Sequence, residues 1–365
     1  MVTYWLWLSH LKGIGPATLR KLVDGLGSPM EVYEATREDL LSVKGLRSGL
    51  IELILSQRSL EAAKQLEDYM QKFEIKLLTY DDSRFPCYVN KFPILPAILY
   101  YRGNLQKLTS CVGIVGSRRC TSYGKGVTAD AAAFLAHAGI TVVSGMAKGI
   151  DSYAHTACLK AGGYTIAFLA NGVDFCYPPE HQTLMEEIIK RGAIVSPYPP
   201  GIRPRQEYFP DRNKLLAAWV EKLLVVEAAK RSGALITAEY AKKYKRKVFA
   251  VPNNIHSPES AGTNHLILNG AEIYLSPDQL INSNIMEIND SLTKVPIEVK
   301  KQKQIKSFPE NLQEKMILNR LDQAQSINSL TDVCSGNLSS LIELLCKMEL
   351  EGKVVVIGQM VKRVQ

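Results

Sequence analysis

The sequence lacks close cysteine pairs and long apolar runs. Its seven cysteines are widely scattered and never spaced as CxxC, which argues against a zinc site and against a disulfide framework. No stretch approaches the roughly 20 apolar residues of a membrane-spanning helix, and residues 1–11 lack the basic start and small-residue cleavage site of a signal peptide. We therefore expect a cytoplasmic protein with reduced thiols, no metal and no membrane association.

The glycine patterns of nucleotide-binding enzymes are also missing. Gly116 to Lys125 has the wrong spacing for a Walker A loop, and Gly13-Ile14-Gly15 lacks the third glycine of a dinucleotide fingerprint. We expect no ATPase activity and no cofactor. The net charge of +8 suits a polyanionic partner such as a nucleic acid, although many basic proteins bind none.

Four segments differ in their hydrophobic pattern. Residues 1–75 carry short helical patterns and predict a small helical domain. In residues 76–283, β-branched runs alternate with helical stretches, which predicts an α/β fold, an extended Rossmann-like doubly wound parallel sheet. Residues 284–307 have the polar composition of a linker. Residues 308–365 show three helical patterns and then a hairpin, the order of a winged-helix domain.

Six apolar runs of the middle segment predict strands, and three of them end in loops that could bind an anion. The runs are 112–115, 141–144, 165–169, 193–196, 223–227 and 248–251. Gly116, Ser117 and Arg118 follow the first run, Gly145 the second and Lys230 the fifth. Such strand ends lie at one edge of a parallel sheet and present the free amides of helix N-termini, which favours phosphate binding. The alternative is a set of tight turns with surface arginines.

A separate basic segment of the chain contains an aromatic residue. Arg203, Arg205, Arg212 and Lys214 flank Phe209 in a proline-rich segment. We interpret the segment as a stiff loop on which the bases of a flexible nucleic-acid strand stack. A rigid surface loop with a core phenylalanine is the alternative.

Three further patterns carry weaker predictions. Asp151 and His155 are four residues apart and could form an acid–base pair, but we favour a helix cap for Asp151 and a bond from His155 to the preceding loop. The basic run 242–247 is interpreted as charge at a helix C-terminus rather than a binding site. Residues 11–19 are similar to a helix-hairpin-helix turn, which either grips a phosphate or is purely structural, and both alternatives stay open.

In this order the motifs resemble the DNA-processing protein A (DprA/Smf) family. The matching strings are GSRxxTxYG, SGxAxGIDxxAH, GxDxxYP, PxG…FPxRN, VVEAxxxSGxLITA, VFAVP and SxGxNxLIxxGA. The resemblance covers nearly the whole chain and implies a SAM/helix-hairpin-helix-like N-terminal domain, a Rossmann-like core that binds single-stranded DNA and a winged-helix tail. It also implies homodimers that load the RecA recombinase in natural transformation. The DNA contacts that it implies are Ser117, Arg118, Gly145, Arg205, Phe209, Arg212 and Asn213.

One departure from the family pattern concerns a predicted site residue. Lys214 stands where the family usually has arginine, so the charge is kept but the bidentate fork is lost.

Two other functions compete with a non-enzymatic DNA-binding role. A nucleotide-processing enzyme of the lysine-decarboxylase-like phosphoribohydrolase kind would carry a Pro-Gly-Gly-x-Gly-Thr stretch with a nearby glutamate. That stretch is absent, and Glu239 is the only carboxylate near a comparable helix start. A winged-helix transcription regulator would need cations on its recognition helix, where residues 337–348 hold only Lys347.

Overall fold

The structure is a computed structural model that describes residues 1–281, 310–350, 352–357 and 360–363. The chain divides into two compact units, Met1–Asp290 and Ser291–Gln365. The predicted linker, 284–307, lies outside the described residues. None of the described helices is both long enough and apolar enough to cross a lipid bilayer.

A nine-stranded sheet forms the centre of the first unit. Its strand order is β1-β2-β6-β5-β4-β3-β7-β8-β9, and the pairs from β6 to β9 are all parallel, whereas β1 and β2 are antiparallel. The predicted doubly wound sheet is therefore confirmed. The strands are β1 Lys76–Thr79, β2 Ile98–Gly103, β3 Cys111–Val115, β4 Thr141–Ser144, β5 Thr165–Phe168, β6 Ala193–Ser196, β7 Lys222–Val225, β8 Lys247–Ala250 and β9 Glu272–Ile273.

Helices connect these strands and cover both faces of the sheet, as parallel crossovers require. From β3 the chain continues to β4, β5 and β6 on one side, and from β7 to β8 and β9 on the other. The strand order therefore reverses between β3 and β7. The helices are α7 Ser122–His137, α8 Ile150–Lys160, α9 Gln182–Arg191, α10 Tyr208–Trp219, α11 Gly233–Lys243 and α12 Ala261–Leu268, with 3₁₀ helices at Pro179–His181, Pro258–Ser260 and Pro277–Leu280.

Six short helices precede the sheet and share a core with it. Trp5 and Leu22 belong to the same buried cluster as Tyr100 of β2 and Ile194 of β6. The segment 1–75, predicted as a helical domain, lies within the first unit and shares buried residues with the sheet, and its status as a separate domain stays a prediction. These helices are α1 Val2–His10, α2 Pro16–Leu26, α3 Pro29–Glu34, α4 Arg37–Ser42, α5 Ser48–Ser56 and α6 Glu61–Lys72.

The second unit has its own small core, which includes Ile317, Leu330, Leu341 and Val361. Three short strands form an antiparallel sheet in the order β10-β12-β11. Helix, strand, helix, helix and hairpin follow one another as in the predicted winged helix, which stays a prediction. The elements are α13 Glu310–Arg320, β10 Gln325–Ser326, a 3₁₀ helix at Ile327–Cys334, α14 Leu338–Leu350, β11 Val354–Ile357 and β12 Met360–Arg363.

Candidate nucleic-acid interface

The loop after β3 enters helix α7 at the point where the strand order reverses, which is the usual place of a ligand site in this fold. Two of the amides there are bonded within the protein. Glu227 follows β7, and its side chain is fully buried. Its carboxylate accepts hydrogen bonds from the backbone N–H of Thr121 at 2.9 Å and from the Thr121 hydroxyl. The Thr121 hydroxyl also accepts from Gly124 N at 3.2 Å. The Thr121 and Gly124 amides at this helix start are therefore already bonded within the protein, and anion binding at the loop stays a prediction.

Gly116 and Ser117 hold the loop after β3 in place through close packing and hydrogen bonds. A Cβ on Gly116 would lie 2.6 Å from the Ile150 side chain, so glycine is needed for the close packing of α8. Ser117 is buried and donates to the Glu259 carboxylate at 2.6 Å, and its hydroxyl accepts from Arg119 N at 3.1 Å. The Ser117 hydroxyl is thus bonded within the protein, in contrast to the exposed Arg118 side chain.

Phe209, Arg212, Asn213 and Lys214 lie on helix α10, which corrects the prediction of a loop. The prediction followed the prolines of the segment. Pro210 occupies the third position of the helix, where its missing N–H leaves no helical hydrogen bond unmade. The four side chains are consequently held in fixed directions by a rigid element.

Arg212 is buried beneath the loop after β4. Its Nη1 donates to the carbonyl oxygens of Gly145 and, at 2.6 Å, of Phe168, and its Nε donates to Asn213 at 3.0 Å. The Asp151 carboxylate also lies close to Gly145 and accepts from the amides of Gly145 and Ala147 at 3.2 and 3.3 Å. A Cβ at Gly145 would collide with the Arg212 guanidinium and the Asp151 carboxylate.

The two buried charges compensate each other. Burial raises the pKa of Asp151, and the nearby Arg212 opposes this rise. Burial likewise lowers the pKa of Arg212, and Asp151 opposes that fall. Asp151 thus holds the loop instead of capping α8, whose N-cap Gly149 makes no side-chain cap bond. We assign Arg212 the role of shaping the β4 and β5 loops.

His155 also departs from its predicted partner. Its Nδ1 lies 2.7 Å from the Thr165 hydroxyl of β5, not on the loop, and its Nε2 has no hydrogen-bond partner. The ring is fully buried, and burial lowers its pKa to about 3. A neutral imidazole bonded to a threonine is a structural group, which disfavours the acid–base pair with Asp151.

Above Arg212 the carboxyl ends of β3, β4 and β5 surround a small pocket of about 60 Å³. The Arg118 guanidinium carbon lies 5.5 Å from the centre of the Phe209 ring, a cation–π distance. The Tyr177 ring lies 5.8 Å from the Phe209 ring and is partly exposed. Two aromatic faces and an exposed guanidinium therefore converge at one opening, an arrangement that suits a base with its phosphate.

Sequence reasoning missed several residues that line this pocket. Tyr177 stands in the GxDxxYP string and Lys148 in the SGxAxGID string, so both motifs carried a usable signal. Lys148 forms an exposed ion pair with Glu180. Asn171 is buried and donates to the carbonyl oxygens of Gly172 and Phe175 at 2.9 and 2.8 Å, which holds the loop after β5.

The other predicted cations lie outside the pocket. Arg203 is exposed with its guanidinium 5.8 Å from the Phe175 ring, and Arg205 pairs with Glu207 at 3.7 Å. Lys230 is exposed on the loop after β7. Lys214 pairs with Asp211 at 2.7 Å and lines a separate, larger groove. Asn213 donates to Gly233 O at 3.3 Å and so ties α10 to α11.

A metal centre is not apparent in the parts of the chain that the structure describes. No group of three or more His, Cys, Asp or Glu side chains there is placed to hold an ion. The pocket's binding groups are instead guanidinium, ammonium and aromatic side chains.

Comparison with known proteins shows which family the chain resembles. Residues 76–284 match the family model described as DNA recombination-mediator protein A. The chain is 41% identical over 286 residues to Protein Smf of Synechocystis, covering 77% of this chain and 72% of the relative. It is 34% identical over 208 residues to DNA processing protein DprA of Bacillus subtilis, covering 56% of this chain and 70% of the relative.

Two solved structures of such proteins have the same fold. The X-ray structure of DNA processing protein A from Streptococcus pneumoniae aligns with a TM-score of 0.64 and 30% identity, covering 77% of this chain and 97% of that one. The protein from Helicobacter pylori, whose structure is described for its single-stranded DNA binding mode, aligns with a TM-score of 0.52 and 29% identity, covering 60% and 97%.

Proposed function

This chain belongs to the DNA recombination-mediator protein A family, and we propose that it binds single-stranded DNA without cutting it and loads the RecA recombinase during natural transformation. The observation that carries the proposal is the pocket at which Arg118, Phe209 and Tyr177 meet. Bases of a duplex are stacked inside the helix and cannot enter such an opening, whereas those of a single strand can turn outward.

Phe209 provides the direct test of stacking at this pocket. Titration of a fluorescent oligothymidine with the parent should show saturable binding, and Phe209→Leu should weaken it by about 1 to 3 kcal/mol, the contribution of one stacked base. Circular dichroism should show that the variant stays folded. Unchanged affinity in a folded variant would mean that the ring is only a packing residue.

We propose that the site performs no chemistry. The rival phosphoribohydrolase function would need a carboxylate at the pocket, but Glu239 is exposed on α11 and does not line it. The test is incubation with nucleoside monophosphates and with DNA, with and without magnesium. Turnover that disappears in Glu239→Gln would favour the rival.

We also propose that the protein acts as a homodimer. Strand β9 lies at the edge of the sheet, and its Ile273 and the neighbouring Leu268 and Leu275 are apolar and exposed, Leu268 by 82%. An exposed apolar sheet edge is a template for pairing, and a second copy of this chain would cover it. Sedimentation should show a dimer that Leu268→Asp dissociates, while an unchanged dimer in that variant would place the interface elsewhere.

Recombinase loading is tested apart from DNA binding. DNA coated with a single-strand-binding protein should be converted to RecA filaments faster when this protein is present. Binding of single strands with no acceleration would retain the first half of the proposal and remove the second.

A further inference from the structure

A second concavity of the first unit lies on the other side of helix α10 from the pocket. It has a volume of about 850 Å³, within the range of about 300 to 1,000 Å³ that ligand sites occupy. Helices α1 and α2, the segment 91–98, the loop after β6 and helices α10 and α11 enclose it. We call it the α10–α11 groove.

The α10–α11 groove combines aromatic rings with ammonium groups. Two ammonium groups lie near the Tyr240 ring: the Lys214 Nζ is 5.3 Å and the Lys243 Nζ 5.9 Å from its centre. Phe92 packs on Tyr244 with a ring separation of 4.4 Å. Among the described lining residues the carboxylate is Asp211, and it is already paired with Lys214.

Helix α10 joins the pocket to the groove. Phe209 and Arg212 line the pocket, whereas Asp211 and Lys214 line the groove. Aromatic rings also continue from one to the other, because Tyr208, next to Phe209, stacks on Tyr198 of the groove at 4.3 Å. A strand that leaves the pocket over the start of α10 would meet this second set of rings and cations.

We propose that the α10–α11 groove binds a further stretch of the same single strand, with bases against the rings of Tyr240 and Phe92 and phosphates near Lys91, Lys214 and Lys243. This inference rests on the proposed function. A peptide of a protein partner is a different occupant for an apolar groove, but the lysines and the continuity with the pocket favour nucleic acid. Lys243 gains a second role in this proposal. It lies in the last turn of α11, as predicted, and also faces the groove.

The test compares oligothymidines of about 6 and about 20 nucleotides, lengths chosen to fill the pocket alone or both sites. Lys243→Glu and Tyr240→Leu should each weaken the long oligonucleotide roughly fivefold or more and leave the short one unchanged. The matched control is Lys160→Glu, another exposed lysine in the last turn of a helix, which should change neither. Iododeoxyuridine at the far end of the long oligonucleotide should cross-link to the peptide that contains Tyr240.

The outcomes separate this inference from the proposed function. Arg118→Ala should weaken both oligonucleotides, and its failure to do so would count against the pocket itself. Parent-like binding of the long oligonucleotide by both groove variants, together with no cross-link, would overturn the second site. Loss of recombinase loading in those variants with DNA binding intact would overturn it in favour of a protein partner.

Discussion

Arg118 and Arg212 belong to the same pocket but differ in what surrounds them. Arg118 is exposed and its guanidinium meets the Phe209 ring, whereas Arg212 is 4% exposed and bonded to two backbone carbonyl oxygens. A ligand can reach the first cation directly. Arg212 also lines the pocket, but it is almost entirely buried and already bonded to the loops, so the two positions should respond differently to substitution.

Replacement of Arg118 should weaken DNA binding without unfolding the protein. Arg118→Ala removes one charge-assisted hydrogen bond to phosphate, worth about 1.5 to 3 kcal/mol, or about ten- to a hundredfold in affinity. Arg118→Lys should recover only part, because an ammonium cannot make the planar bidentate contact. Fluorescence anisotropy with an oligothymidine measures both, and the melting temperature should hardly move.

The control for Arg118 is Lys160→Ala, since Lys160 is exposed in the last turn of α8 and lines neither concavity. Lys243 is unsuitable for this purpose because it faces the α10–α11 groove. If Arg118→Ala bound DNA as tightly as the parent while Lys160→Ala bound it more weakly, the DNA-binding site would lie on a different face of the protein from the pocket.

His155 should make the protein less stable in mild acid. Its folded-state pKa of about 3 lies below the unfolded value of about 6.5, so the unfolded chain binds more protons between these values. The stability that His155 contributes is complete above about pH 6.5 and is lost as the pH falls toward 3. Urea unfolding at about pH 7.5 and 5.5 should show a decrease of about 1.4 kcal/mol from this group.

The variant His155→Gln isolates that group, because glutamine does not titrate. Its unfolding free energy should fall less between the two pH values than that of the parent. An identical pH dependence in the two proteins would show that other groups cause the loss.

At the scale of elements, the sequence predicted the strands of the sheet, because their formation depends on the local pattern of residues. The six predicted runs match β3 to β8 within two residues at each end, since β-branched residues between glycine loops favour buried parallel strands. Helix α10 was missed because Pro210 was taken as a loop residue, although proline is tolerated in a first turn. The bonds from Thr121, the N-cap of α7, to Glu227 depend on a contact 106 residues away along the chain and leave no local signal.

Glu227 should therefore matter to the stability of α7 more than an ordinary glutamate. Glu227→Ala leaves the Thr121 N–H and hydroxyl without their acceptor, which should cost about 1 to 3 kcal/mol in the free energy of unfolding. The matched control is Glu239→Ala on the exposed face of α11, expected to change it by no more than about 0.5 kcal/mol. Urea denaturation that shows equal effects would contradict the capping role.

At the scale of the molecule, the division of the chain into two units suggests where a protease should cleave it. Residues 284–307 have a polar composition with little apolar surface to bury, so limited proteolysis should cleave there first. The N-terminal fragment contains the pocket and the groove and should bind single strands as well as the full chain does. Loss of binding in that fragment would assign DNA recognition to the second unit.

The site itself was predictable only in part. Motif strings placed Arg118, Gly145, Phe209 and Arg212 around one pocket, as the structure has them. They could not show that Arg212 faces inward, because burial of a cation depends on the carbonyl groups and the Asp151 carboxylate brought to it by folding. Lys214 was expected at the same site, yet helical geometry turns it to the opposite side of α10.

The most direct test of the central claim is one titration series with a single strand and a duplex of the same sequence, each at several salt concentrations. We predict tighter binding of the single strand, with log K falling against log salt at a slope of roughly −3, about −0.7 for each of about four neutralised phosphates. Equal affinity for single strand and duplex would contradict the account.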